Sequence, residues 1–183
     1  MKLINITIEE FEDKLYSEYI KIFPEEEQRE WKNIKKVYEQ GIEKFYIIVE
    51  EENIVGFIML EENKTYNSYY IDYFAILEKY RNKGIGTKAI KCLLKDIIKD
   101  NLLCIEIEKP VETNIDTIRR KQFYIRTGFK EINSEYLLYK VLYKPFIYSK
   151  SDISKEEIDK IMFDYYIINC GKEAVKSHCK IIK

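Results

Sequence analysis

The chain has 183 residues, about the size of one ordinary domain, and its 46% hydrophobic and 34% charged content is that of a folded globular protein. Its 31 lysines and arginines nearly cancel its 32 aspartates and glutamates, so no overall positive field exists to gather a phosphate backbone or an anionic lipid surface. No basic stretch leads into an apolar one at the N-terminus, and no apolar run approaches the roughly 18 residues of a membrane span. Neither nucleic acid nor a membrane is an expected partner, and a cytoplasmic location is the expectation.

In chain order, Lys2 to Ile6 reads as a strand. Ile8 to Ile22 reads as one helix, with Phe11, Leu15, Tyr19 and Ile22 at helical spacing and Thr7 and Glu10 placed for a capping box. A second helix is expected from Pro24, with Glu25, Glu26 and Glu27 suited to its dipole, Trp31, Ile34 and Tyr38 on its inner face, and Gly41 closing it. Two β-rich runs, 45–50 and 54–60, predict a hairpin about Glu51, Glu52 and Asn53, and Tyr69 to Leu77 gives a third strand. Links this short make the three antiparallel neighbours.

Thr87 to Lys99 carries Ile90, Leu93, Leu94, Ile97 and Ile98 as one apolar stripe, and Leu102 to Glu108 is a strand. Strand, helix and strand in that order predict a parallel crossover. Asp116 to Arg126 reads as a helix ending at Gly128, with a last hairpin from 129–132 and 136–143. Ser154 and Glu157 have capping-box spacing before a further helix bearing Ile158, Ile161, Met162 and Tyr165. The order describes an α+β domain with a central mixed sheet. Cys92, Cys104, Cys170 and Cys179 form no CxxC pair, and Cys170, His178 and Cys179 match no zinc spacing, so no metal is expected.

The densest motif is Arg81-Asn82-Lys83-Gly84-Ile85-Gly86. Gly84 to Ala89 also satisfies a GxGxxA dinucleotide pattern, but in that fold the glycines follow the strand at once, whereas six residues from Glu78 to Lys83 intervene here. What the segment supplies is a basic loop turning into a helix N-terminus, where close-approaching amides and the helix dipole favour an anion such as a phosphate.

With FAILEKYRNKGIG and, further on, FYIRTGF, the sequence resembles the GNAT family of N-acetyltransferases over residues 2 to about 143. The resemblance implies a three-layer α/β/α arrangement about a mostly antiparallel sheet, with residues 1–145 as catalytic domain; residues 146–183 lie outside it and are expected to form a helical extension packed on the same domain. It implies acetyl-coenzyme A as co-substrate. The pantetheine arm would pair with Phe74 to Ile76, the pyrophosphate would sit on Arg81, Asn82, Lys83, Gly84, Ile85, Gly86 and Thr87, and Asn114 would lie near the coenzyme. Tyr124, four residues before Gly128-Phe129, would protonate the departing thiolate. Thr117 and Arg120 stand where the family has an asparagine and an alanine.

An amine with its ordinary pKa of about 10 is protonated near neutrality and needs a base before it can attack. Asp72, on the strand of Phe74 and Ile76, is the first candidate, with Glu106 and Glu108 as rivals. Cys104 lacks a partnering histidine that would activate it. The expected acceptor is a small-molecule or peptide amine, walled by the first two helices. A homodimer is expected from family habit, and a non-catalytic coenzyme A sensor is the alternative reading.

Overall fold

The computed structural model describes all of Met1–Lys183. It divides into two compact units, Met1–Glu62 with Ile71–Lys99, and Asn63–Tyr70 with Asp100–Lys183.

The first unit opens with β1 (Lys2–Ile6), α1 (Ile8–Lys14) and α2 (Tyr16–Ile22). The Thr7 and Glu10 capping box is formed. The single helix expected over 8–22 is two, bent at Leu15 with φ −136° and ψ −11°. Leu15 joins the two, its N donating to Phe11 O while its O accepts from Tyr19 N. Phe11 and Tyr19 are both fully buried on either side of it. The helix expected from Pro24 does not form: Glu25–Glu27 is one short turn, 28–30 is non-helical, and α3 (Trp31–Glu39) follows. Tertiary contacts take the amide a helix would need, since Arg29 N donates to the phenol oxygens of Tyr19 and Tyr73, each at 3.0 Å.

Next come β2 (Glu43–Glu50), β3 (Asn53–Asn63), β4 (Ser68–Ile76) and α4 (Ile85–Leu93). The hairpin joining β2 and β3 turns on Glu51 and Glu52, both at positive φ (49° and 64°), the backbone of a tight hairpin turn without its usual Asn-Gly. β1 lies antiparallel on β2, and β4 is hydrogen-bonded beside β3. Phe11, Phe45, Phe57, Met59 and Tyr73 lie in the core of this unit.

The second unit contains the start of β4, then β5 (Leu102–Glu108), α5 (Ile115–Arg126), β6 (Lys130–Glu131), β7 (Tyr136–Leu138), β8 (Val141–Tyr148), α6 (Lys155–Cys170), α7 (Lys172–His178) and β9 (Cys179–Ile181). The predicted parallel crossover is present, with Ser68 beside Leu102 and Tyr70 beside Cys104. The predicted last hairpin is corrected. Tyr139 and Lys140 adopt positive φ (47° and 77°) and fold the run 136–143 on itself as β7 and β8, and β6 pairs with β8. Nothing in a Tyr-Lys pair announces a turn. Ser154 caps α6 as its spacing implied, and α6 buries Ile158, Ile161, Met162 and Tyr165 against Tyr70, Leu102 and Ile147. α7 and β9 were not anticipated; β9 adds to the edge of β7. The nine strands and seven helices make a mixed sheet flanked by helices, the expected fold class. No helix is long and apolar enough to cross a membrane.

One glycine fixes how closely β3 and β4 approach. A Cβ built at Gly56 would stand 2.3 Å from the carbonyl oxygen of Ala75, a backbone atom that cannot swing aside. Gly56→Ala should therefore cost about 1–3 kcal/mol through backbone displacement. Thermal unfolding should show a clear fall in Tm, and an unchanged Tm would refute the close approach.

Candidate active site

β4 ends at Ile76, a short turn over Glu78–Tyr80 follows, and the chain enters α4 through Asn82 (φ 61°) and Gly84 (φ 74°). Left-handed backbone at Gly84 carries no side-chain penalty and turns the chain into the helix. The first α-helical bond is Lys88 N to Gly84 O at 3.2 Å, so the amides of Ile85, Gly86 and Thr87 come before any intrahelical partner. Arg81 folds back, its Nε donating to Ile76 O at 2.9 Å. Lys83 Nζ donates to Lys79 O at 2.9 Å and lies 5.8 Å from the centre of the Tyr80 ring. The motif's two cations thus brace the turn, and its free amides stand at the end of the helix whose dipole favours an anion. Phe74 and Ile76 are half-buried on β4.

Asp72 does not stand by itself. Arg29 Nη1 donates to Glu43 Oε2 at 2.9 Å, to Glu61 Oε1 at 3.1 Å, and to Asp72 Oδ2. Glu43 and Glu61 oppose each other directly in the register of β2 and β3, and their side chains are wholly enclosed. The carboxylate oxygens lie within 4.8 Å of one another, a spacing that calls for positive charge, and the Arg29 guanidinium supplies it. Burial pushes the Glu43 carboxyl up to about 8, against the pull of Arg29 and with the push of the Asp72 charge. Burial also raises Asp72, and the nearby guanidinium only partly offsets it. Sequence reasoning missed Arg29, Glu43 and Glu61, because only the strand register and the path of 28–30 bring them to Asp72.

In the second unit, Tyr124 of α5 is buried, its ring 5.2 Å from that of Phe129 and 6.4 Å from that of Phe146. Burial holds its phenol well above the ordinary value, Arg120 opposing and Glu106 adding to the effect, so the proton stays on oxygen at neutral pH. Asn114 caps α5, its Oδ1 accepting from Asp116 N at 3.1 Å. Thr117 Oγ1 donates to Asn114 O at 2.7 Å and accepts from Val111 N at 3.1 Å, so it braces the entry to α5. Arg120 lies 3.9 Å from Glu108. Glu106 Oε1 accepts from the Tyr70 hydroxyl at 2.6 Å. Burial raises the Cys104 thiol, which leaves it a poor nucleophile, and His178 stacks on Tyr139 at 5.0 Å.

Comparison with known proteins identifies the family and the fold. A model of the acetyltransferase (GNAT) family matches residues 8–129. A GNAT-family acetyltransferase from Bacteroides thetaiotaomicron has a similar structure, with TM-score 0.80 and 24% identity over 94% of this chain and 99% of that one. A GNAT-family protein from Desulfovibrio desulfuricans gives TM-score 0.61 and 14% identity over 82% and 99% of the two chains. A spermidine N-acetyltransferase variant from Vibrio cholerae gives 0.59 and 12% over 80% and 94%. These likenesses establish the fold. None of the curated proteins compared with the chain matches it.

The Glu43 carboxyl makes stability depend on pH in a definite direction. Its value of about 8 in the folded chain lies above the ordinary 4.5, so between those limits the folded state holds a proton that the unfolded chain releases. This contribution is complete below about pH 4.5 and is lost as pH rises through 8. Glu43→Gln, a neutral replacement, should flatten the decline of Tm across that window. Parallel Tm curves for the two proteins would show that Glu43 titrates normally.

Proposed function

Because the chain belongs to the acetyltransferase (GNAT) family, whose members use acetyl-coenzyme A, we propose that it transfers the acetyl group to a small-molecule or peptide amine by direct attack. The observation that carries this reading is the turn into α4. Three amides precede the helix's first internal bond, and Arg81 is tied to the end of β4 beside them. The pyrophosphate binds at Gly84 to Thr87, with Arg81, Asn82 and Lys83 shaping the approach, and the pantetheine arm lies along Phe74 to Ile76. Asn114 contributes mainly by holding the entry to α5.

In the reaction Asp72 takes a proton from the ammonium form of the acceptor. The amine lone pair then attacks the thioester carbonyl, whose developing oxyanion meets main-chain donors near Ile76. The C–S bond breaks with its electrons on sulfur, and Tyr124 gives that sulfur a proton. A buried phenol that stays protonated at neutral pH suits this role. The acceptor enters along the wall made by α2 and the stretch after it, where Ile20, Phe23, Pro24, Glu25 and Gln28 line an open groove of about 650 Å³. Lys21 and Glu25 both line the groove, and the adjoining Glu26 and Glu27 leave its surroundings net acidic, which favours a cationic approach.

Replacing Tyr124 with Phe removes the hydroxyl and keeps the ring. It should lower kcat for amine acetylation by about 10²-fold while leaving the KM for acetyl-coenzyme A near that of the parent. Unchanged turnover would remove Tyr124 from the chemistry. Failure to acetylate any member of a broad amine set would remove the proposed reaction.

A further inference from the structure

The ion cluster around Arg29 is lopsided in ways that simple charge neutralisation does not explain. One guanidinium faces three carboxylates drawn from three strands, an excess of two negative charges if all are ionised. All three bonds converge on one nitrogen, Nη1, while Nε and Nη2 are buried without partners and so is Glu43 Oε1. An arginine that merely neutralises a carboxylate usually engages it with both prongs of the fork. Access is graded too: Glu43 and Glu61 are wholly enclosed, whereas Asp72 is 8% exposed and Arg29 11%. Asp72 is thus the one carboxylate of the three that reaches the surface.

We propose that Arg29 is a positioning residue for acetyl transfer, gathering Glu43, Glu61 and Asp72 into one proton-holding unit in which Asp72 exchanges the amine's proton and Glu43 stores one. The kinetic part of this proposal rests on the acetyl-transfer reading above; the proton-holding part does not.

Two buried negative charges in excess would be severely penalised, and the simplest relief is a retained proton. The groups facing the cluster from other directions are the phenols of Tyr19, on α2, and Tyr73, on β4. Burial lifts both, Tyr19 to about 12, so neither exchanges a proton near neutrality. The same arginine fixes the acceptor wall. Its amide is held by those two phenols, Tyr73 in turn donates to Glu27 O at 2.6 Å, and the Gln28 side chain donates to Phe23 O at 2.6 Å. Arg29 thus sets the place of the wall and the basicity of Asp72 together.

The proton balance is complete. An ammonium acceptor gives one proton to Asp72, its lone pair forms the C–N bond, and the C–S bond breaks with its pair on sulfur, which takes the Tyr124 proton. The second proton on nitrogen restores the phenol, and the one on Asp72 passes to solvent. Below about pH 8 Glu43 is neutral and the unit carries its stored proton; above it, Glu43 ionises and adds a further charge beside Asp72.

The test has two arms. In the ligand-free protein, a ¹³C-carboxyl titration by NMR should place the Glu43 midpoint near 8, and a midpoint at the ordinary value would overturn the proton-holding unit. In the kinetic arm, kcat/KM is followed against pH with acetyl-coenzyme A and a set of primary amines that includes spermidine. The parent profile should break near pH 8 and Glu43→Gln should lose that break, while a superimposable Glu43→Gln profile would overturn the coupling. Arg29→Gln should lower kcat/KM by about tenfold or more and move the acid limb upward, with Arg29→Lys restoring part of both. Should Arg29→Gln fail to fold, Glu43→Gln decides the matter alone. If no amine is acetylated, the transfer reading and the positioning role fall together, and the NMR titration still decides whether the proton is stored.

Discussion

The convergence of three carboxylates on Nη1 of Arg29 is the constraint on which the first unit depends. Glu43 and Glu61 sit directly opposite each other on adjacent strands, a like-charge pairing that works against the sheet unless something neutralises it. The arginine that does so comes from the non-helical stretch 28–30, so the register of β2 and β3 and the path of that stretch depend on each other. Without the guanidinium, buried charge would stand uncompensated, a loss of about 3–5 kcal/mol for one such pair. That penalty explains why the stretch after Pro24 gives up the helix its sequence favours and delivers Arg29 to the sheet.

β4 receives a second set of constraints. Gly56 admits the Ala75 carbonyl at a distance no side chain would allow, Arg81 ties the Ile76 carbonyl to the following turn, and Asp72 is held by Arg29. These contacts hold the strand rigidly from both ends of its second half. For a strand proposed to pair with an extended cofactor arm, such rigidity lowers the ordering cost of binding. Rigid main chain also lets amides at the start of α4 stabilise an anion without reorganising.

Much of this was legible in the sequence. Apolar spacing located the cores of α1 to α6, though not of α7, and the capping residues at Thr7 and Ser154 act as their spacing implied. RNKGIG predicts a glycine turn into a helix, and Gly84 enters α4 with the left-handed backbone such a turn needs. The misreadings share one cause. Leu15, Arg29 and the Tyr139-Lys140 turn all take conformations imposed by partners distant in sequence, and no local propensity signals them. Asp72 was chosen by its place on a strand, while the neighbours that set its basicity lie 43 residues away at Arg29 and on two other strands.

The sequence by itself therefore determined most of the helices and the long strands, the mixed sheet, the family resemblance and the turn before α4, because these follow from periodicity and from short motifs whose geometry is local. The tertiary structure alone decided that one arginine would gather three carboxylates, that Arg81 and Lys83 would brace the turn with their side chains, and that Tyr124 would be buried deeply enough to keep its proton. Those outcomes depend on desolvation and on charges brought together across strands, and such energies exist only once the chain has folded.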